Sequence, residues 1–151
     1  MVFQSIRIVF WTCVTALFFV SCTASAEEYV DKDTIRHAMH ACREGYFMTG
    51  ADAGRNLLLC AKFATGGSDE EIDSSTMFHN MHACPVGKAM TGWNKKPNLF
   101  LCQGLSGYDG RAVYQYGDKK NVREAIPACP EGLVLVGMHS GRNKLLCAYE
   151  L

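Results

Sequence analysis

The chain has 151 residues, of which 15 are Lys or Arg and 15 are Asp or Glu, so its formal net charge is zero. A neutral chain has no basic field to attract a phosphate backbone, which excludes nucleic acid as an expected partner. The length is that of one ordinary domain with room for a hydrophobic core.

The N-terminal segment has the pattern of a secretory signal peptide. One basic residue, Arg7, precedes an apolar run from Ile8 to Val20, and small residues follow up to Ala26. Such a run is too short for a membrane-spanning helix. We predict a signal peptide over residues 1–26 and a single mature domain over 27–151. Because cleavage removes only Arg7 among the charged residues, 14 basic residues then face 15 acidic ones.

The same segment has a second interpretation as a lipoprotein signal. Cleavage would then fall before Cys22, and a lipid on that cysteine would be the only membrane contact. Phe19 is a poor residue three positions before such a cysteine, so cleavage after Ala26 is preferred. Both interpretations predict a location outside the cytoplasm, either secreted or periplasmic.

The cysteines of the mature domain follow a fixed interval. They are Cys42, Cys60, Cys84, Cys102, Cys129 and Cys147, so that each successive pair is 18 residues apart. An even number of cysteines in an oxidising compartment predicts a disulfide framework. The interval predicts the bonds Cys42–Cys60, Cys84–Cys102 and Cys129–Cys147. Pairing between neighbouring units, such as Cys60–Cys84, is the main alternative.

The segments between paired cysteines resemble one another and indicate three internal repeats. They read "CREGYFMTGADAGRNLLLC", "CPVGKAMTGWNKKPNLFLC" and "CPEGLVLVGMHSGRNKLLC". Each has Ala before its first Cys, two glycines and an Asn four residues before its last Cys. Self-similarity at a regular period predicts repeats over about 33–63, 75–105 and 121–151.

Each repeat predicts a β-hairpin, because two short apolar runs flank a turn rich in Gly, Asn and Asp. Antiparallel pairing would bring the two cysteines together at the open end, and a bond closing such a loop is worth about 3 kcal/mol. The fold prediction is all-β with pseudo-threefold symmetry, and β-trefoil-like is preferred. A β-prism-like arrangement or an open stack of hairpins is the alternative. Residues 64–76 predict an exposed loop, and 111–116 predict a further strand.

The predicted hairpin tips carry the candidate ligand-binding residues. Trp93 is the only tryptophan of the mature chain, and an aromatic ring among polar turn residues suits stacking on a sugar or filling a partner's pocket. The alternative is that its ring folds back over the core. The candidates are Asp52, Arg55, Asn56, Trp93, Asn94, Asn98, His139, Arg142 and Asn143.

Two groups among these candidates are the repeated asparagines and the two arginines. The repeated Asn56, Asn98 and Asn143 could be equivalent ligand contacts, although an Asn that takes a positive φ to end the turn is the preferred interpretation. Arg55 and Arg142 have no counterpart in the middle repeat, and they are candidates for contact with an anionic or hydroxylated ligand.

The segments "HAMHAC" and "HNMHAC" resemble metal-binding motifs and contain His37, His40, His79 and His82. The third copy reads "EAIPAC", so the histidines are optional to the repeat. Since Cys42 and Cys84 are expected in disulfides, they would not be available as thiolate ligands. We expect no bound metal, and these four histidines remain the low-priority candidates.

No catalytic signature is present, so we expect neither an enzyme nor a cofactor. The leading hypothesis is a secreted or envelope-associated binding module that recognises a glycan, in a lectin-like manner, or an extracytoplasmic protein through its hairpin tips. One alternative is a disulfide-stabilised inhibitor or effector of a hydrolase, because rigid loops bind a target at a low ordering cost. The other is a metal-binding protein that uses the H-x-x-H-x-C segments.

Overall fold

The computed structural model describes residues 27–67, 70–96, 98–108, 113–117, 122–139 and 144–149. Within these ranges every regular element is a β-strand, which confirms the all-β prediction. No helix in these ranges is long and apolar enough to cross a membrane. The predicted signal peptide and Cys22 lie outside the described residues.

The strands differ in length according to their place in the chain. In order they are β1 Glu28–Asp31, β2 Ile35–Arg36, β3 Met39–Ala41, β4 Tyr46–Asp52, β5 Leu57–Lys62, β6 Glu71–Asp73, β7 Met77–Phe78, β8 Met81–Ala83, β9 Lys88–Asn94, β10 Leu99–Gly104, β11 Val113–Gly117, β12 Val122–Arg123, β13 Ile126–Pro127, β14 Leu133–His139 and β15 Lys144–Tyr149. The long antiparallel pairs β4–β5, β9–β10 and β14–β15 are called the main hairpins.

A short hairpin, called an arm, precedes each main hairpin. The first, second and third arms are β2–β3, β7–β8 and β12–β13. The two residues that connect the strands of an arm both have positive φ, for example 49° at His37 and 58° at Ala38. Two successive positive φ values are typical of the tight turn that joins hairpin strands. The first histidine of each H-x-x-H segment is therefore a turn residue.

Each arm pairs with a main hairpin other than the one that follows it in the chain. In the first junction, the first arm pairs with β9 through His40 opposite Trp93. In the second junction, the second arm pairs with β14 through His82 opposite Met138. In the third junction, a bridge between Ala128 and Gly50 connects the third arm to β4. The arms thus connect the three main hairpins to one another.

The backbones approach closely at these junctions, and this explains why small residues recur at the same place in each repeat. At the first junction the Cys42 amide donates to the carbonyl of Thr91 at 2.8 Å. A Cβ added to the neighbouring Gly92 would lie 2.7 Å from the Cβ of Ala41. Gly50 meets Ala128 and Gly137 meets Ala83 in the same way. The repeated Gly and the Ala before each first Cys are therefore contact partners.

The disulfides are Cys42–Cys60, Cys84–Cys102 and Cys129–Cys147. They confirm the pairing predicted from the interval of 18 residues. Their Cα atoms are 5.6 to 5.8 Å apart. The expected position at the open end of a hairpin is wrong, however. Cys60 lies inside β5 opposite Met48, whereas Cys42 ends an arm that pairs with β9. Each bond therefore ties an arm, held on another hairpin, back to its own hairpin.

The centre of the molecule is a core to which all three main hairpins contribute. It contains the three disulfides and buried side chains such as Met48, Met90 and Leu135. Sheet pairing gives the strand orders β1-β5-β4, β2-β3-β9-β10-β6, β11-β15-β14-β8-β7 and β12-β13. The β-trefoil preference is not confirmed by this pairing.

The sequence predicts structure for two segments between the hairpins, with different outcomes. Part of the strand expected at 111–116 is observed as β11, Val113–Gly117, which pairs with β15, while residues 111 and 112 lie outside the described residues. The loop expected at 64–76 is wrong in part, because β6 lies within it and pairs with β10. A polar strand such as β6 is stable at a sheet edge because backbone hydrogen bonds, rather than burial of its side chains, hold it there.

The close contact at the junctions can be tested with Gly92→Ala. We expect it to reduce the free energy of unfolding by about 1–3 kcal/mol, because the new methyl group overlaps Ala41 and the backbone of His40. Urea unfolding of the oxidised protein should give a lower midpoint with an unchanged slope. Gly67→Ala is the control, since nothing lies within 4 Å of its added Cβ. Equal stability of the two variants would contradict the contact.

Candidate functional site

The tip of the first main hairpin is held by Asp52 and Arg55. The Asp52 carboxylate accepts hydrogen bonds from the backbone amides of Gly54 and Arg55, each at 2.9 Å, and from Nε of Arg55 at 2.7 Å. The Arg55 amide and then its guanidinium lower the pKa of Asp52 from its ordinary value. Arg55 also donates to the carbonyl of Ala125 in the third arm. These two candidate ligand contacts are thus engaged in holding the tip and the third arm.

The repeated asparagines have a structural role where they are described. Asn56 and Asn98 have φ values of 56° and 55°, so each occupies the left-handed region that Asn tolerates better than most residues. The preferred interpretation from the sequence is confirmed for these two positions. Asn143 and the neighbouring candidate Arg142 lie outside the described residues.

Trp93 is not offered at an exposed tip, and the other interpretation, in which its ring covers the core, is the one observed. Its side chain is 6% exposed and belongs to the central core. It lies in β9, opposite His40 of β3 on one side and opposite Phe100 of β10 on the other. Trp93 therefore has a cross-strand neighbour on both sides. The neighbouring Asn94 ends β9 opposite Leu99 and is half-buried. The polar sequence after Trp93 belongs to the turn, while the ring packs inward.

The four histidines of the H-x-x-H-x-C segments do not form a common site. His37 and His79 lie in the turns of two different arms. His40 is buried, with Nε2 3.6 Å from a carboxylate oxygen of Asp31. Among the described residues, no group of three His, Cys, Asp or Glu side chains could hold a metal ion. The motif as a whole is therefore an arm that ends in a disulfide.

A polar network fastens the first arm to the second main hairpin. Arg36 donates to both carboxylate oxygens of Glu70 at 2.7 and 2.8 Å, and its Nε donates to the carbonyl of Cys42 at 2.9 Å. The Thr91 hydroxyl also donates to Glu70. The network borders a cleft of about 510 Å³, which we call the polar cleft. It is lined by Arg36, His37, Glu44, Glu70 and Gln103.

The three junctions differ at the positions of this network. At the third junction Arg123 pairs with Glu28 at 2.9 Å, and the Thr49 hydroxyl donates to the same carboxylate at 2.8 Å. At the second junction the corresponding strand positions hold Phe78, Val113 and Val136. All three polar groups are thus replaced together, which indicates that they act as one unit.

A second cleft lies at the second junction, between the tips of the second and third main hairpins. Its volume is about 450 Å³, and we call it the tip cleft. It is lined by Met77, Asn80, His82, Lys95, Asn98, Met138 and His139. Two of the candidates named from the sequence, Asn98 and His139, are brought together here. Asp52, Arg55, Asn56, Trp93 and Asn94 do not line it.

The junctions differ in the side chain that lies opposite His40, His82 and their counterpart in the third arm, Pro127. At the first junction that position holds Trp93, whose buried indole packs against the core. At the second junction it holds the narrower Met138, which is also 6% exposed and part of the central core, and which borders the tip cleft opposite His82. At the third junction the corresponding residue of β4 is Ala51. The same backbone arrangement therefore presents a different surface at each junction.

Sequence reasoning missed several residues of the tip cleft, namely Met77, Asn80, Lys95 and Met138, and it named His82 only as a metal candidate. The available signal was the alignment of the repeats, which places Met77 beside Ile35 and Val122, and Met138 beside Trp93 and Ala51. The alignment alone could not identify the cleft, because it does not show that each arm pairs with a different main hairpin.

The comparisons with known proteins give no family for this chain. No protein-family model matches it, and neither a curated protein nor a solved structure does.

The polar network can be tested with Glu70→Gln. We expect it to lower the free energy of unfolding by about 1–3 kcal/mol, because the largely buried Arg36 guanidinium loses its countercharge. Glu71→Gln is the control, because Glu71 is about half exposed and pairs with Lys88 at the surface. It should change the free energy by less than about 1 kcal/mol.

A triple variant tests whether the three groups act as a unit. Arg36→Phe, Glu70→Val and Thr91→Val together reproduce the residues of the second junction. Because no buried charge is left unpaired, the triple variant should recover most of the stability that Glu70→Gln loses in urea unfolding. A triple variant less stable than Glu70→Gln would show that the groups are independent.

Proposed function

We propose that this protein is a secreted or periplasmic binding module that recognises its ligand at the tip cleft. The observation that carries the proposal is the convergence of Asn98 and His139, which belong to two different main hairpins, with Lys95 in one cleft of about 450 Å³. A concave site with a few polar groups on a rigid frame suits recognition of a ligand. We infer no turnover and no catalytic residue.

The lining of the tip cleft favours a hydroxylated or anionic ligand. The amides of Asn80 and Asn98 offer both donors and acceptors, and Lys95 adds a positive charge. Met77, which is 54% exposed, provides apolar surface beside them. This mixture suits a glycan, in a lectin-like manner, or a polar loop of an extracytoplasmic protein.

Rigidity supports binding at this place. The disulfide Cys84–Cys102 ties the second arm to the second main hairpin, while the arm is paired with the third. The parts that line the cleft are therefore connected covalently and by backbone hydrogen bonds. A preformed cleft loses less conformational entropy on binding than a mobile one.

For the architecture, we propose that three repeats are arranged with pseudo-threefold symmetry in a β-prism-like manner, which was the alternative to the β-trefoil. Support comes from the pairing of each arm with a different main hairpin and from contacts of β4, β9 and β14 with one another. The three disulfides agree with an oxidising compartment. They support the proposed signal peptide over 1–26, with lipid on Cys22 as the alternative.

The inhibitor or effector hypothesis is the second candidate, since rigid hairpin tips also suit insertion into a hydrolase cleft. Its test is inhibition of lysozyme or serine proteases by the purified, oxidised protein. The metal hypothesis in its original form has little support, because Cys42 and Cys84 are in disulfides and the histidines are separated.

Asn98→Gly tests the tip cleft without straining the turn, because Gly accepts a positive φ. We expect it to weaken binding in a glycan array, or to an isolated protein partner, by about tenfold through loss of the amide contacts. His139→Ala should weaken the same interaction. Asn56→Gly is the matched control, since Asn56 has the same backbone conformation at another tip. Equal binding by Asn98→Gly, His139→Ala and the control would reject the tip cleft as the site.

A further inference from the structure

One side of the tip cleft is a row of soft metal donors. In the sheet, Met77 lies opposite His82, and His82 lies opposite Met138. Directly opposite residues in antiparallel strands share a face, with Cβ atoms about 4.5–5.5 Å apart. His82 therefore has a methionine on each side in the same row, and all three residues line the same cleft. His139 lines the cleft as well, but it follows Met138 in β14, and successive side chains of a strand point to opposite faces, so it is not part of the row.

This donor set selects one class of metal. Thioether sulfur and imidazole nitrogen are ligands for copper, above all in its soft monovalent form. Among the described residues that line the cleft there is no carboxylate, the donor that calcium, magnesium and manganese prefer. Lys95 also lines the cleft and is exposed. Its positive charge repels a divalent ion about twice as strongly as a monovalent one.

The frame of the protein does not require sulfur at these positions. The corresponding row of the first junction is Ile35, His40 and Trp93. At the third junction the strand positions are Val122, Pro127 and Ala51. Methionine therefore stands on both sides of a histidine at one junction only. Met77 is 54% exposed, and Ile35 and Val122 are exposed at the same position, so burial in the core does not explain a sulfur there. Met138 is 6% exposed and also belongs to the central core.

We propose that Met77, His82 and Met138 bind one Cu(I) ion in the tip cleft. The site differs from the H-x-x-H-x-C motif, because it uses thioethers and takes only one histidine from that segment. It is independent of recognition of a polar ligand, which depends on Asn98 and the tip amides. Cu(I) binds in its existing oxidation state, so no electron transfer is involved.

The test is titration of the oxidised protein with Cu(I), kept reduced by ascorbate, in competition with the chromophoric chelator bicinchoninate. We expect one ion per chain. Met77→Leu and Met138→Leu should each weaken binding by about tenfold or more, because each removes one sulfur ligand with little change of volume. His82→Gln should remove competition with the chelator. The thermal unfolding midpoint of the wild type should rise on addition of Ag(I), a redox-inert substitute.

Two controls distinguish the copper site from nonspecific histidine binding and from recognition of the polar ligand. His79→Gln removes a histidine of the same arm that is not in the row, and it should bind Cu(I) like the wild type. Asn98→Gly should retain Cu(I) binding even if it loses the polar ligand, so the two proposals can fail separately. If the wild type competes no better than His82→Gln, or if exposed Met77→Leu binds Cu(I) as tightly as the wild type, the copper site is rejected.

Discussion

The structure depends on a close backbone contact at the junction between an arm and a main hairpin. The carbonyl of Thr91 accepts a hydrogen bond from Cys42, and the same contact occurs between Val136 and Cys84 and between Thr49 and Cys129. The contact leaves no room for a Cβ on the facing glycine. The arm is then tied back to its own hairpin by the disulfide that begins at the same cysteine. One hydrogen bond, one small-residue contact and one covalent bond thus meet at each junction.

Because the backbone and the disulfide hold the junctions, the side chains around them are free to differ. Two junctions carry an Arg, a Glu and a Thr in a hydrogen-bonded group, and the second junction has apolar residues at those positions. Replacing all three avoids an unpaired buried charge, which would cost more than the loss of the pair. The second junction is also where Met138 stands in place of Trp93. The proposed ligand and copper sites both lie in the cleft that this junction forms.

The proposals for the tip cleft use different parts of one surface. Asn98 and Lys95 come from the tip of the second main hairpin, whereas Met77 and His82 come from the second arm. His139 belongs only to the proposed recognition site, because it follows Met138 in β14 and points to the other face of the strand. The rigid frame suits both, because metal ligands and hydrogen-bonding groups each require positions held within a fraction of an ångström.

The sequence by itself determined the local structure and the covalent pairing. The interval of 18 residues identified the disulfides, and the apolar runs around Gly and Asn identified the main hairpins, because these features depend on residues that are near one another in the chain. Tertiary structure decided which hairpin each arm pairs with, and therefore whether Trp93 is exposed and which residues share a cleft. The polar residues that follow Trp93 indicate a turn, but they do not indicate which segment of the chain covers its ring. Such contacts form between segments that are far apart in the chain, such as those of His40 and Trp93, and no local pattern encodes them.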